Sequence, residues 1–294
     1  MHASSHGRSH GRVALVGCNS IDPSDVCSLV LSDAVNELFL TGPGRWVLAE
    51  DLQRLIDERD IVSHALFRTE TISCAARADI AIIALASDDP ATKTKQECLK
   101  KRASDMRLSV RSLIKAGFQG IFLVIANPID LMAQVAQQAS GFAPHRVIGL
   151  GNPDNEFDED SFGSRLTATW CTAECQNVQF FDNCDPICPA FNSALKKRNG
   201  SNADLPTFPG NRISSLASCV KQVCEAILRD ERVLLPVSTL VTNEFGISGL
   251  YMTVPCVLGR GGVETTVELQ TTVQEKRRLL SYAANLRTAA HTVL

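Results

Sequence analysis

At 294 residues the chain exceeds the usual single-domain size of about 100–200 residues, and its 45% hydrophobic and 21% charged residues exclude a mostly disordered protein. With 29 Lys and Arg against 32 Asp and Glu, the formal charge of −3 gives no global electrostatic reason to bind nucleic acid or an anionic membrane. No apolar run approaches the roughly 18–20 residues that cross a bilayer, so a soluble protein is expected, with neither nucleic acid nor membrane as partner.

Residues 1–11 read as a disordered tail: polar, with His6-Gly7-Arg8 and His10-Gly11-Arg12, and without the apolar core of a secretory signal. Arg12 to Val16 then runs apolar up to Gly17, and Asp22-Pro23-Ser24-Asp25 opens an apolar-periodic stretch through Leu31, which predicts strand, turn and helix. Glu37 to Leu40 reads as a strand, Trp46 to Ile56 as a helix, Ile80 to Ala86 as a buried strand and Glu97 to Ala116 as a long amphipathic helix. A strand at Ile121 to Ile125 and a helix at Asp130 to Ala139 follow. Strands alternating with helices imply βαβ units, so residues 12–149 are expected to form an α/β, doubly wound parallel sheet of the dinucleotide-binding type.

The boundary is placed near Gly149, and residues 150–294 are expected to form an α+β second domain. Arg146 to Leu150 continues the sheet; an acidic run follows from Asn152 to Asp160, then a helix at Leu166 to Cys175 and a strand at Val178 to Phe181. After a polar loop, Lys196 to Pro209, come a helix at Ser214 to Asp230, strands at Val233 to Leu240 and Tyr251 to Leu258, and a closing helix at Glu275 to Ala290. Eleven cysteines, an odd count in a long chain, are read as free thiols in a reducing compartment, hence a cytoplasmic location. The spaced pairs Cys171/Cys175 and Cys184/Cys188 lack a ribbon pattern or a neighbouring His, and no metal is expected.

Ala116-Gly117-Phe118-Gln119-Gly120-Ile121-Phe122-Leu123-Val124 followed by Ala126-Asn127-Pro128-Ile129-Asp130 resembles a strand and Asn-Pro-Val-Asp segment of the L-lactate and malate dehydrogenases. Arg146-Val147-Ile148-Gly149 resembles the entry to that family's substrate lobe. Val233 to Ser238, Val254 to Gly259 and Gly262-Val263-Glu264 resemble its C-terminal strand pair. The resemblance covers about Arg12 to Ala290. It implies a Rossmann-like sheet followed by a substrate-type domain, NAD or NADP as cofactor, a small-molecule 2-hydroxy acid as substrate, and homo-oligomers, dimeric or tetrameric.

The positions where the family does chemistry depart from its pattern. Of the three fingerprint glycines that turn the chain, admit a pyrophosphate and pack the helix, only Gly17 is present in Gly17-Cys18-Asn19-Ser20-Ile21-Asp22. Asn19 adds a side chain where the phosphates would approach. Asp22 as helix cap, with Asp25 three residues on, places two carboxylates at the helix N-terminus where those phosphates would sit; a well-capped helix is the plainer reading of the same residues. At the end of the second strand, Gly42 stands where an acid would grip the adenine ribose, and Arg45 nearby suits either a ribose phosphate or nothing beyond a Gly-Pro turn. No nicotinamide nucleotide is expected to bind tightly.

The resemblance further places Asn183 at the proton-exchanging His position, within Phe181 to Pro189, where Asp185 and Pro189 match the family. An amide cannot cycle a proton near neutral pH, so the general acid/base contribution of about 10²–10⁴-fold is expected to be lost. His64, His145 and His291 offer no evident replacement. Lys95 falls at the position of the mobile-loop Arg, keeping charge without the planar fork, or else simply starts a solvated helix. Arg165 is the only basic residue near enough to serve as the carboxylate grip, beside five acids in the seven residues Asp154 to Asp160. Asn127, which in the family contacts substrate and nicotinamide, is retained, although a turn after a strand also explains it. Two readings stand: a diverged binding or assembly protein with weak or no dehydrogenase activity, or a divergent NAD(P)-dependent oxidoreductase acting on a 2-oxo or 2-hydroxy acid.

Overall fold

The structure is a computed structural model, which describes residues 11–58, 63, 65–85, 94–150, 215–267 and 273–294. Six parallel strands, β1 (Arg12–Val16), β2 (Glu37–Thr41), β3 (Leu66–Thr69), β4 (Ile80–Ala84), β5 (Ile121–Ile125) and β6 (Val147–Leu150), stand in the order β3-β2-β1-β4-β5-β6. β4 is buried at every position, as a parallel strand covered on both faces must be, which explains its uninterrupted Ile80-Ala-Ile-Ile-Ala84 sequence. The order reverses at β1, so the carboxyl ends of β1 and β4 flank a crevice of the kind in which ligands of wound sheets bind.

Helices α1 (Pro23–Val30), α2 (Arg45–Glu58), α3 (Ile72–Ala75), α4 (Lys95–Lys115) and α5 (Ile129–Ser140) make the crossovers on this side of residue 150. α4 begins two residues before the predicted Glu97 because Thr94 caps it: the Thr94 hydroxyl accepts the Glu97 N–H at 3.2 Å and the Glu97 carboxylate accepts the Thr94 N–H at 2.9 Å. α5 stops at Gly141, whose φ of 66° takes the left-handed cap.

Helix α6 (Ser215–Arg229) precedes β7 (Val233–Val241), β8 (Leu250–Gly259) and β9 (Gly262–Thr266), an antiparallel meander, and α7 (Val273–Val293) closes the chain. The meander extends the same sheet: β7 pairs with β6 through Gly149↔Ser238 and Leu150↔Val237, giving nine continuous strands among the described residues. Gly149 is needed there, since a Cβ would lie 2.7 Å from Ile129 Cγ2 and from Ser238 Cβ. α6 docks on α1 through Ser28 Oγ, which donates to the Ala217 carbonyl at 3.0 Å, and Ser32 Oγ, which donates to Glu225 Oε1 at 2.6 Å. The predicted elements at Leu166 to Cys175, Val178 to Phe181 and Lys196 to Pro209 lie outside the described residues.

Candidate functional site

Gly17 leaves β1 with φ of 92°, and a Cβ on it would sit 1.9 Å from the Ala84 carbonyl oxygen, so the turn is closed tightly against β4. A single 3-10 turn, Cys18–Ser20, leads to Asp22, the N-cap of α1. The first turn of that helix has its donors in use. Pro23 has none, the Ser24 N–H donates to Asp22 Oδ1 at 2.8 Å, and the Asp25 and Val26 N–H groups donate to the Asp22 carbonyl at 3.0 and 3.3 Å. Asp22 is exposed and lays its carboxylate on the positive end of the helix. Asp25, expected beside it, is instead buried, with 7% of its surface exposed, on the helix that packs against α6. One carboxylate, not two, faces the crevice.

The loop after β2 presses directly onto this turn. Gly44, with φ of 78°, leaves no room for a side chain, because a Cβ would meet the Asn19 nitrogen and Cβ at 2.8 Å. Gly42, with φ of 87°, backs onto the Gly17 nitrogen, and Cys18 Sγ donates to the Thr41 carbonyl at 3.4 Å. Burial pushes the Cys18 thiol up to about 11, so it is no nucleophile near neutral pH. Arg45 folds back on its own turn, Nη1 donating to the Gly42 carbonyl at 3.0 Å with the guanidinium 5.4 Å from the Trp46 ring centroid. Thus Gly17, Asn19, Gly42 and Arg45 form one cluster.

Asn127 stands on the same edge of the sheet at the end of β5, joined to Pro128 by a cis peptide. Its carbonyl accepts from Arg102 Nη1 at 2.6 Å, while its side-chain amide has no hydrogen bond among the described residues. Arg102 was not singled out from sequence; the signal lay in its spacing seven residues after Lys95, two helical turns along one face of α4. Its Nε is buried without a hydrogen-bond partner among the described residues. Lys95 is the first residue of α4, on a capped helix. Asn183, Arg165 and the acidic run of residues 154–160 lie outside the described residues.

Beneath Asn127, Asp130 is buried and accepts from Thr253 Oγ1 at 3.0 Å and from the Tyr282 hydroxyl. Burial raises its carboxyl above the usual range despite these bonds. It joins α5, β8 and α7 rather than facing the crevice. Among the described residues no group of three His, Cys, Asp or Glu side chains could hold a metal, the cysteines are free thiols, and no helix is long and apolar enough to cross a membrane.

A family model described as lactate/malate dehydrogenase, NAD binding domain, matches residues 11–149, and one described as lactate/malate dehydrogenase, alpha/beta C-terminal domain, matches residues 210–294. The L-lactate dehydrogenase of Clostridium botulinum (strain 657 / Type Ba4) is 24% identical over 305 residues, covering 95% of this chain and 96% of that one. Among solved structures, the minor L-lactate dehydrogenase of Enterococcus mundtii in its ligands-bound form superposes with a TM-score of 0.71 at 19% identity, over 96% of this chain and 98% of that one. Malate dehydrogenase from Salinibacter ruber gives 0.67 at 18%, over 96% and 97%. At these identities the structural likeness speaks for the fold.

Proposed function

The chain belongs to the lactate/malate dehydrogenase family, and from that premise we propose that it is a diverged member with weak or no 2-hydroxy acid dehydrogenase activity, its fold turned to binding or assembly. The observation that carries the reading is Asp22. A dinucleotide's pyrophosphate is normally held by free N–H groups and the positive dipole at this helix N-terminus. Here Pro23 offers no donor, the Ser24 N–H is taken by the Asp22 carboxylate at 2.8 Å, and that carboxylate repels a second anion. These residues do not fit a tightly held NAD or NADP. Asn183 at the family's His position and Lys95 at its mobile-loop Arg position support the same conclusion from the sequence.

Two residues support the second reading, a divergent NAD(P)-dependent oxidoreductase: Arg45 follows the end of β2, where the family's pattern has its ribose grip, and the Asn127 side-chain amide has no hydrogen bond among the described residues. Under either reading we propose a cytoplasmic homo-oligomer, dimer or tetramer, that takes a small molecule in the crevice. Steady-state assays with pyruvate and oxaloacetate, each with NADH and NADPH, decide between the readings. The expected result is turnover at least about 10²-fold below that of an active relative assayed alongside, the loss that follows from removing the general acid/base group. Turnover at the relative's rate would overturn the proposal in favour of the oxidoreductase.

A further inference from the structure

At the opposite end of the sheet from Gly17 and Asn127, the amino ends of β1, β4, β5 and β6 and the β8–β9 turn surround a cleft of about 470 Å³. This is the size range of small-molecule sites, roughly 300–1,000 Å³. Its charged lining is Arg12, Arg77, Arg146 and Arg260 against the single carboxylate of Asp79, with His145 at the rim.

Two of the arginines have structural employment. Arg12 pairs with Asp79, Nη2 to Oδ1 at 3.4 Å, and Arg146 donates to the Gln119 and Gly120 carbonyls while lying over the Phe142 ring at 4.0 Å. The other two do not. Among the described residues the exposed side chains of Arg77, on the α3–β4 connection, and Arg260, on the β8–β9 turn, have no hydrogen bond or ion pair, so two unspent guanidinium groups face one cleft from separate walls. Gly261, exposed in the β8–β9 turn, also lines the cleft, and an added Cβ there would meet nothing within 4 Å.

Helix ends weigh against positive charge here, because α4, α5 and α6 finish on this side of the sheet. Each C-terminus carries about half a negative charge, roughly 1.5 in all. Asp230 adds a second carboxylate at the β8–β9 turn, where it accepts the Arg260 N–H at 2.8 Å, and Arg229 is spent on Asp33, Glu225 and Glu231; four guanidinium groups still exceed these charges, and Lys115 in the last turn of α4 offsets them further. The cleft stays cationic.

We propose that it binds a small anion bearing two or more phosphate groups. Arginine forks pair bidentately with phosphate oxygens, and forks arriving from different walls match a tetrahedral group, which offers oxygens in three dimensions, better than a planar carboxylate. The site is separate from the crevice at the carboxyl ends of the strands and does not depend on what that crevice binds.

The test is calorimetric titration of the full chain with inorganic tripolyphosphate, and in parallel with citrate, at low ionic strength. Arg77→Ala with Arg260→Ala is compared with a control of equal net charge, Arg54→Ala with Arg287→Ala, on other surfaces. Wild type and control are expected to bind tripolyphosphate alike, and the cleft variant about 100-fold more weakly, about tenfold for each lost charge-assisted contact. Both cleft side chains are exposed and unpartnered, so the variant is expected to unfold at the wild-type temperature, which the same samples report. Absence of binding by the wild type, or equal binding by the cleft variant, would overturn the proposal; citrate binding as tightly as tripolyphosphate would overturn the assignment to phosphate.

Discussion

Asp22 supplies, from within the chain, the negative charge that a helix N-terminus attracts. Asp22→Gly would free the Ser24 N–H and remove that charge at a stability cost of only a few tenths of a kcal/mol. NADH affinity, followed by fluorescence titration, should rise about fivefold, since a unit charge about 4 Å away is worth on the order of 1 kcal/mol even in water. Tight binding by the wild type, or no gain in a folded variant, would reduce Asp22 to a helix cap. Asp130 lends itself to a different experiment. Asp130→Ala strands the Thr253 and Tyr282 hydroxyls in the interior and should cost about 2–4 kcal/mol in urea unfolding, whereas Asp130→Asn keeps an acceptor and should cost less. Asp22 was readable in the sequence because a cap is a local device. The burial of Asp25 was not, because it depends on α6, which begins at Ser215.

The 3-10 turn at Glu244–Gly246 shows how an element end can set a pH response. Partial burial alone would raise the Glu244 carboxyl. It is outweighed by the Thr266 hydroxyl at 2.6 Å and the Asn243 and Thr242 N–H groups at 2.9 and 2.6 Å, which hold the carboxyl at about 2 against an ordinary 4.5. A depressed carboxylate stabilises the fold fully above its unfolded value, and that stability drains away as pH falls from 4.5 toward 2. Glu244→Gln should therefore flatten the decline of melting temperature across that window while lowering it slightly at pH 7; an unchanged acid limb would exclude the carboxylate as its source. At this scale the central strands β1, β4 and β5 were legible as apolar runs, since they are covered on both faces. β3 went unpredicted because it is an edge strand with Leu66 half exposed and Arg68 in its short Leu-Phe-Arg-Thr sequence. The start of α4 could have been read from Thr94 and Glu97, a capping box present in the sequence.

For the whole molecule, the helix faces are not equally free. α6 spends its apolar side on α1, and α4 packs on α5 and α7. α2 buries only Leu48 and Leu52 and leaves Trp46 and Val47 61% and 63% exposed, so it has apolar surface to offer a second copy. Light scattering at micromolar concentration should return a dimer or larger; a monomer of 31.8 kDa would refute the assembly. The wound half was legible from strand–helix alternation, but the joining of β7 to β6 was not, because antiparallel pairing across so long a separation leaves no local pattern. That same joint bears on how the protein is made. When residue 150 has left the ribosome, the six parallel strands are all present, yet the chain that covers the outer edge of β6 begins at Val233. At about 5–20 residues per second the interval lasts on the order of ten seconds. Until β7 is made, the strand that pairs with β6 in the finished sheet is missing, and Val147–Leu150 forms an apolar edge of the kind that chaperones shield.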